Sequence, residues 1–197
     1  MMKSSIAWLG LLMISGCASS PEQGTNRPVT GLIHNNAVFY DGPDLVATVA
    51  YMRGKNIVAE EWLILAVEFT SKRGRGPMVI NRDDIALLTP AGGRLGLISQ
   101  DEFWSKTPRF QIPVQRTLNY LPLLYRFEQN RAPCGRWYLV DPSQAIAYDE
   151  ITVSSFEQCS GPLLFEVPGG VQPGRWRLVI ELEESRADIP FVIEVEN

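Results

Sequence analysis

The chain of 197 residues contains one histidine, three cysteines and no apolar run of the roughly 20 residues that a membrane-spanning helix needs. A Ser-His-Asp or Cys-His mechanism would have to use His34, which has no recognisable nucleophile motif to work with. No G-x-S-x-G, P-loop or G-x-G-x-x-G pattern occurs anywhere in the chain. We therefore expect a protein that is not an enzyme, has no catalytic residues and uses no cofactor.

The scarcity of metal ligands argues against a metal-binding protein, and the charge balance argues against a nucleic-acid-binding protein. With one histidine and no Cys-x-x-Cys pair, the chain does not offer the four ligands of a structural zinc site. Asp83 and Asp84 are adjacent acids, but the spacing of a calcium-binding EF-hand loop is absent. The net charge of −4 argues against a nucleic acid partner. We expect neither a bound metal nor bound nucleic acid.

The N-terminal segment carries a short apolar run that ends at a cysteine. Lys3 precedes an uncharged apolar stretch at residues 6–14, whose length suits a signal peptide. The following Ile14-Ser15-Gly16-Cys17 resembles the lipobox of bacterial lipoproteins. The resemblance implies that residues 1–16 are a signal peptide and that Cys17 carries lipid, with palmitate as a usable label. The alternative is an ordinary secretory signal that is cut elsewhere.

The residues after Cys17 predict a tether. Residues 17–28 are polar and rich in Ser, Pro, Gly and Asn, which is typical of a flexible linker. Residues 19–28 reach roughly 35 Å when fully extended, so the folded part would stay close to the bilayer. In lipoproteins of bacteria with two membranes, a residue other than Asp after the cysteine directs the protein to the outer membrane. Ala18 therefore implies the outer membrane, and we expect its periplasmic face.

The two remaining cysteines predict a disulfide. An exported protein folds in an oxidising compartment, and Cys134 and Cys159 form an even set once Cys17 is lipidated. The closed loop of about 25 residues would stabilise the fold by roughly 3–4 kcal/mol on the chain-entropy model. Two free buried thiols are the alternative.

Residues 29–197 predict a single domain built mostly of short strands. The stretch Trp62–Thr70 is apolar on both faces until Glu68, which is typical of a central strand. Strands of this length with Gly and Pro turns favour an antiparallel β-sandwich, an all-β fold. The predicted strands are Ala37–Tyr40, Leu45–Tyr51, Trp62–Thr70, Met78–Ile80, Ile85–Leu88, Arg94–Ser99, Ala147–Phe156, Leu163–Val167, Trp176–Glu183 and Ile189–Val195.

The end of the chain and one middle segment refine this prediction. Gln172–Leu178 and Asp188–Ile193 resemble the last hairpin of immunoglobulin-like domains, which implies an immunoglobulin-like sandwich. Residues 100–127 break the strand pattern and predict a short, partly helical insertion. Pro113 suits the first position of a helix there, and Pro122 would end or kink it.

The segment Phe103–Trp137 combines aromatic residues with positive charge. It holds seven aromatic residues and six cations against a single acid, Glu128. Arginines interleaved with aromatics are typical of binding hot spots. The alternative is that the aromatics form core and the arginines are solvated or pair with acids of residues 141–197. The candidate binding residues are Trp104, Lys106, Arg109, Arg116, Tyr120, Tyr125 and Arg126.

Together these features predict an envelope lipoprotein that binds or assembles proteins without catalysis. The partner would be an envelope protein that contacts the Phe103–Trp137 segment or an exposed sheet edge. The alternative is a carbohydrate-binding module that stacks cell-wall or surface polysaccharide on Trp104, Tyr120 or Tyr125. A weaker alternative is a hydrolase that uses two distant carboxylates.

Overall fold

The structure is a computed structural model that describes residues 28–34, 36–51, 61–118, 131–141 and 145–194. Within these ranges, twelve strands and two α-helices are formed. The first strands are β1 (Val29–His34), β2 (Ala37–Asp41), β3 (Leu45–Tyr51), β4 (Trp62–Ser71), β5 (Met78–Asn81), β6 (Ile85–Leu88) and β7 (Arg94–Gly96). They are followed by α1 (Gln100–Ser105), α2 (Thr107–Leu118), β8 (Ala132–Pro133), β9 (Glu150–Val153), β10 (Glu157–Glu166), β11 (Gly174–Glu181) and β12 (Arg186–Ile193).

The strands form one large sheet, one smaller sheet and a two-stranded ribbon. The large sheet has the order β1-β2-β3-β4-β10-β8, the smaller one has the order β12-β11-β6-β7, and the ribbon pairs β5 with β9. All pairs of strands are antiparallel except β8 with β10. The prediction of an all-β, sandwich-like fold is confirmed, whereas its immunoglobulin-like type stays a prediction.

Strand β4 is buried along its whole length because both faces of the large sheet are covered. On one face, Tyr51 of β3 lies opposite Leu65 of β4 and packs on Phe191 of β12, with ring centroids 5.4 Å apart. Side chains alternate along a strand, so Trp62 points to the other face. There its ring meets Phe110 of α2 at 4.9 Å. The apolar character of β4 on both sides therefore reflects two packing layers, as the sequence predicted for a central strand.

Of the two helices, α1 begins at residue 100, where the predicted insertion begins, whereas α2 begins earlier than the sequence predicted. Ser99 caps α1 by accepting a hydrogen bond from the backbone N–H of Glu102 at 3.1 Å. The prediction that a helix starts at Pro113 is wrong, because α2 starts at Thr107 and contains Pro113 in its interior. Pro108 lies in the first turn, where its missing N–H costs nothing. An interior proline removes one helical hydrogen bond, but Pro113 is buried together with Phe110 and Val114, and that packing supports the helix.

The predicted cysteine pair is confirmed by its geometry. The sulfurs of Cys134 and Cys159 lie at disulfide distance, and their Cα atoms are 4.6 Å apart. The backbone N–H of Cys134 also donates to the carbonyl of Gln158 at 2.9 Å. The disulfide and the hydrogen bond hold the β8 segment against β10. Three residues after Cys134, the chain reaches Trp137, which lies in the core.

Candidate functional site

An open cleft of about 570 Å³ lies between the start of α1 and the segment of residues 145–149. Two large apolar side chains are exposed there: Trp104 is 57% exposed and Ile146 is 76% exposed. We call this surface the Trp104 cleft. Its lining residues are Arg82, Ser99, Gln100, Asp101, Trp104, Ala145, Ile146, Ala147 and Asp149.

Arg82 belongs to the framework of the cleft. Its Nε pairs with a carboxylate oxygen of Asp149 at 3.2 Å, and its Nη2 donates to the carbonyl of Tyr138 at 2.9 Å. A further hydrogen bond runs from Nη1 to the carbonyl of Ile98. The guanidinium thus connects three separate stretches of chain, and all three of its nitrogens take part in these contacts. Arg82 positions the cleft walls and is not the group that a ligand would engage first.

Gln100 fixes the position of Trp104. The amide of Gln100 donates to the carbonyl of Val140 at 2.9 Å and accepts from the N–H of the same residue at 3.2 Å. This pair of hydrogen bonds attaches the first residue of α1 to the stretch of residues 137–140. Trp104 lies one helical turn after Gln100, so its ring is held at the cleft by a rigid element.

The rim of the cleft is acidic. A second recess of about 400 Å³ adjoins it and shares Arg82 and Asp149. Asp101 adds a further carboxylate to the cleft itself. Among the residues that the structure describes, no group of three or more His, Cys, Asp or Glu side chains is arranged to hold a metal ion. The second recess is lined by Asn81, Arg82, Asp83, Asp84, Asp149 and Glu150.

Of the seven candidate binding residues, Trp104 lines this cleft. Lys106 is half-buried: its Nζ pairs with Glu102 at 2.7 Å and lies 4.3 Å from the centroid of the Trp62 ring. Arg109 and Arg116 are exposed on α2, seven residues apart and so on one face of the helix. Tyr120, Tyr125 and Arg126 lie outside the described residues, as does Cys17.

The other aromatic residues of the Phe103–Trp137 segment that the structure describes lie in the core. Phe103 and Phe110 are buried with ring centroids 6.4 Å apart, and Trp137 is buried against Phe69 at 5.9 Å. For these three residues, the alternative interpretation of aromatics as core is the one that the structure shows. Sequence reasoning missed Ile146, which is a single large apolar residue between two alanines and gave no periodic signal.

Glu68 is a second unusual group, although it lines neither recess. It is buried in β4, opposite Thr48 of β3 and Ser160 of β10, and its Oε2 has no hydrogen-bond partner. Burial raises the pKa of this carboxyl to about 7, and the positive charge of Arg131 opposes that rise. A carboxyl that titrates near neutrality makes stability depend on pH.

In the ranges that the structure covers, none of the helices is both long and apolar enough to traverse a bilayer. Comparison with protein-family models, with curated proteins and with solved structures found no match to this chain.

Proposed function

We propose that the protein is a lipid-anchored, non-enzymatic binding module of the bacterial envelope, and that it recognises a protein partner through the Trp104 cleft. The observation that carries this proposal is the exposure of Trp104 and Ile146 in one open cleft with an acidic rim. Tryptophan is enriched among residues that dominate binding energy, and a polar rim around an apolar centre is typical of protein interfaces.

The charge beside the cleft indicates which kind of partner it would bind. Asp83, Asp84 and Glu150 line the recess that adjoins the cleft, and their carboxylates favour a partner with Lys or Arg beside the apolar side chain that would enter the cleft. The same charges would repel an acidic polysaccharide, because like charges brought together cost free energy. A basic, apolar segment of an envelope protein therefore fits the cleft better than an anionic glycan does.

The lipid anchor would keep the binding module close to its partner. The Ile14–Cys17 segment supports a diacylglycerol on Cys17, and the short tether would hold the sandwich beside the periplasmic face of the outer membrane. Anchoring raises the local concentration of the module around other envelope proteins, so a modest affinity at the cleft suffices.

Substituting Trp104 by alanine is expected to reduce recovery of the partner at least about tenfold, which corresponds to a loss of about 1.4 kcal/mol in binding. The measurement is quantitative affinity purification of the full-length anchored chain from envelope extracts after cross-linking, at low and at high salt. Recovery should fall with salt, because the acidic rim contributes to the contact. The melting temperature should stay unchanged, since Trp104 is largely exposed.

Phe156→Ala is the matched control, because Phe156 is an exposed aromatic residue, 81% accessible, on the turn between β9 and β10. It should leave partner recovery intact. Equal recovery by the wild-type chain and Trp104→Ala would contradict the proposal.

The second candidate function is binding of a neutral glycan, which the half-exposed indole beside the polar groups of Ser99 and Asp101 favours. Retention on an uncharged polysaccharide matrix that disappears in Trp104→Ala, without any protein recovered, would favour this candidate.

Substituting Cys17 by alanine is expected to abolish incorporation of radiolabelled palmitate and to move the protein from the membrane fraction to the soluble fraction. A thioether-linked lipid needs the cysteine sulfur, and several acyl chains give near-permanent attachment. Cys134→Ala controls for loss of a cysteine elsewhere and should keep the label. Equal labelling of the wild-type chain and Cys17→Ala would contradict the anchor.

A further inference from the structure

Among the residues that the structure describes, strand β1 is an outer edge of the large sheet, and it pairs with β2 on one side. Its residues from Val29 to Leu32 are exposed on both faces, with Val29 at 63% and Leu32 at 78% exposure. Alternate backbone N–H and C=O groups of an edge strand point away from the sheet and can pair with another strand. The described residues place a row of such groups beside two exposed apolar side chains.

The other edge strands of the two larger sheets in the described part of the chain are protected in ways that β1 is not. Strand β8 is two residues long and ends in Pro133, and β7 is three residues long and begins with Arg94. Strand β12 contains Pro190 together with charged side chains. Short length, proline and charge are the devices that keep an edge from pairing. Residues 29–33 of β1 contain neither proline nor charge.

We propose that β1 pairs with β1 of a second copy of this chain, in an antiparallel arrangement with its two-fold axis at Gly31. The two large sheets would then join edge to edge. Self-pairing is isologous, so each residue contact occurs twice. In this register Thr30 lies opposite Leu32 of the second copy, and both are exposed on the same face of the strand. Gly31 lies opposite its own equivalent, where no side chain crowds the axis.

Charge and chain length both favour a second copy as the occupant. Because β1 is uncharged between residues 29 and 33, self-pairing sets no like charges against each other. The tether of residues 17–28 enters directly before β1. In the proposed register the two Val29 residues lie about 14 Å apart along the strands, and two tethers that each reach about 35 Å can both meet one bilayer.

This inference rests on the anchor of the proposed function, because anchored copies share one plane and meet often. It is independent of the Trp104 cleft, which belongs to α1 and the segment of residues 145–149.

The test introduces a cysteine at the proposed axis in the full-length chain within its native membrane. A Cβ at Gly31 would meet no heavy atom within 4 Å, so Gly31→Cys fits without strain. Directly opposed residues of antiparallel strands have Cα atoms about 4.5–5.5 Å apart, within the reach of a disulfide. After mild oxidation, we expect most of Gly31→Cys to run as a covalent dimer on a non-reducing gel. The control Phe156→Cys, which is equally exposed on another surface, should remain monomeric.

A second variant tests whether the dimer forms through pairing of the two β1 strands. Adding Thr30→Lys and Leu32→Lys to Gly31→Cys sets lysines opposite each other and should reduce the dimer at least about fivefold. Both side chains are exposed, so the melting temperature should be unchanged. A Gly31→Cys dimer no more abundant than that of Phe156→Cys would overturn the inference, and so would a dimer that survives both lysines. Either result together with intact partner recovery through Trp104 would leave the proposed function standing.

Discussion

Gly161→Ala is expected to destabilise the fold by about 4 kcal/mol and to lower the melting temperature by about 10 °C. A Cβ at position 161 would overlap the indole of Trp137, which lies directly on the backbone of β10. The indole cannot move aside cheaply. It is buried, its Nε1 donates to the carbonyl of Pro162 at 2.8 Å, and its ring packs on Tyr138 at 5.3 Å. Alanine would therefore cause overpacking and break a buried hydrogen bond.

The matched control is Gly96→Ala, because a Cβ at Gly96 meets nothing within 4 Å. It should change the free energy of unfolding by less than about 0.5 kcal/mol. Combining Gly161→Ala with Trp137→Phe should cost less than the sum of the two single changes, since the smaller ring leaves room for the methyl group. Denaturant unfolding of the four variants measures this. Unfolding of Gly161→Ala at the wild-type midpoint would show that the indole does not pack on β10.

The same glycine explains one difference between the sequence prediction and the structure. The sequence predicted a strand over Leu163–Val167, whereas β10 begins at Glu157 and runs through Gly161 and Pro162. Glycine and proline usually mark turns, so the pattern alone placed the boundary too late. Here the glycine is needed for contact with a ring from a distant part of the chain. Nothing local in the sequence distinguishes that role from a turn.

The hairpins were predictable because their determinants are local. The turn around Gly42 joins β2 to β3, and the resemblance of Gln172–Leu178 and Asp188–Ile193 to a last hairpin implied the pairing of β11 with β12. Turn residues and a period of two fix these elements without long-range information. The strand predicted over Ala147–Phe156 is shorter in the structure, where β9 spans Glu150–Val153.

The candidate site was less predictable because it combines distant segments. Phe103 and Trp104 are neighbours of similar character, yet the first is buried and the second is exposed. The attachment of α1 through Gln100 and Val140 and the packing of Phe103 on Phe110 determine which ring is buried. Ile146 reaches the same cleft from more than forty residues further along the chain. Composition identified the segment, but it did not separate the residue at the surface from the residues in the core.

The free energy of unfolding of Glu68→Gln is expected to exceed that of the wild-type chain by an amount that grows with pH. The difference should increase by up to about 3 kcal/mol between pH 4.5 and pH 8. The wild-type carboxyl has a pKa of about 7 in the folded protein, against an ordinary value of 4.5. Below pH 4.5 both states are protonated, so the group contributes no difference. Between these values the unfolded chain releases the proton first, and unfolding becomes progressively more favourable. Above about pH 7 the loss of stability reaches its full size, which is about 1.4 kcal/mol for each unit by which the two pKa values differ.

Glutamine keeps the shape of the side chain and has no charge to bury, so it removes the penalty without leaving a cavity. Urea unfolding of both proteins at pH 5, 6, 7 and 8 measures the effect as a stability difference that widens with pH. Glu166→Gln is the control, because Glu166 is exposed at the end of the neighbouring strand, and its difference from wild type should not change across this range. A constant difference between Glu68→Gln and the wild-type chain from pH 5 to pH 8 would contradict this account. The carboxyl would then have to be charged throughout, which its burial between Thr48 and Ser160 opposes because a desolvated carboxylate is costly.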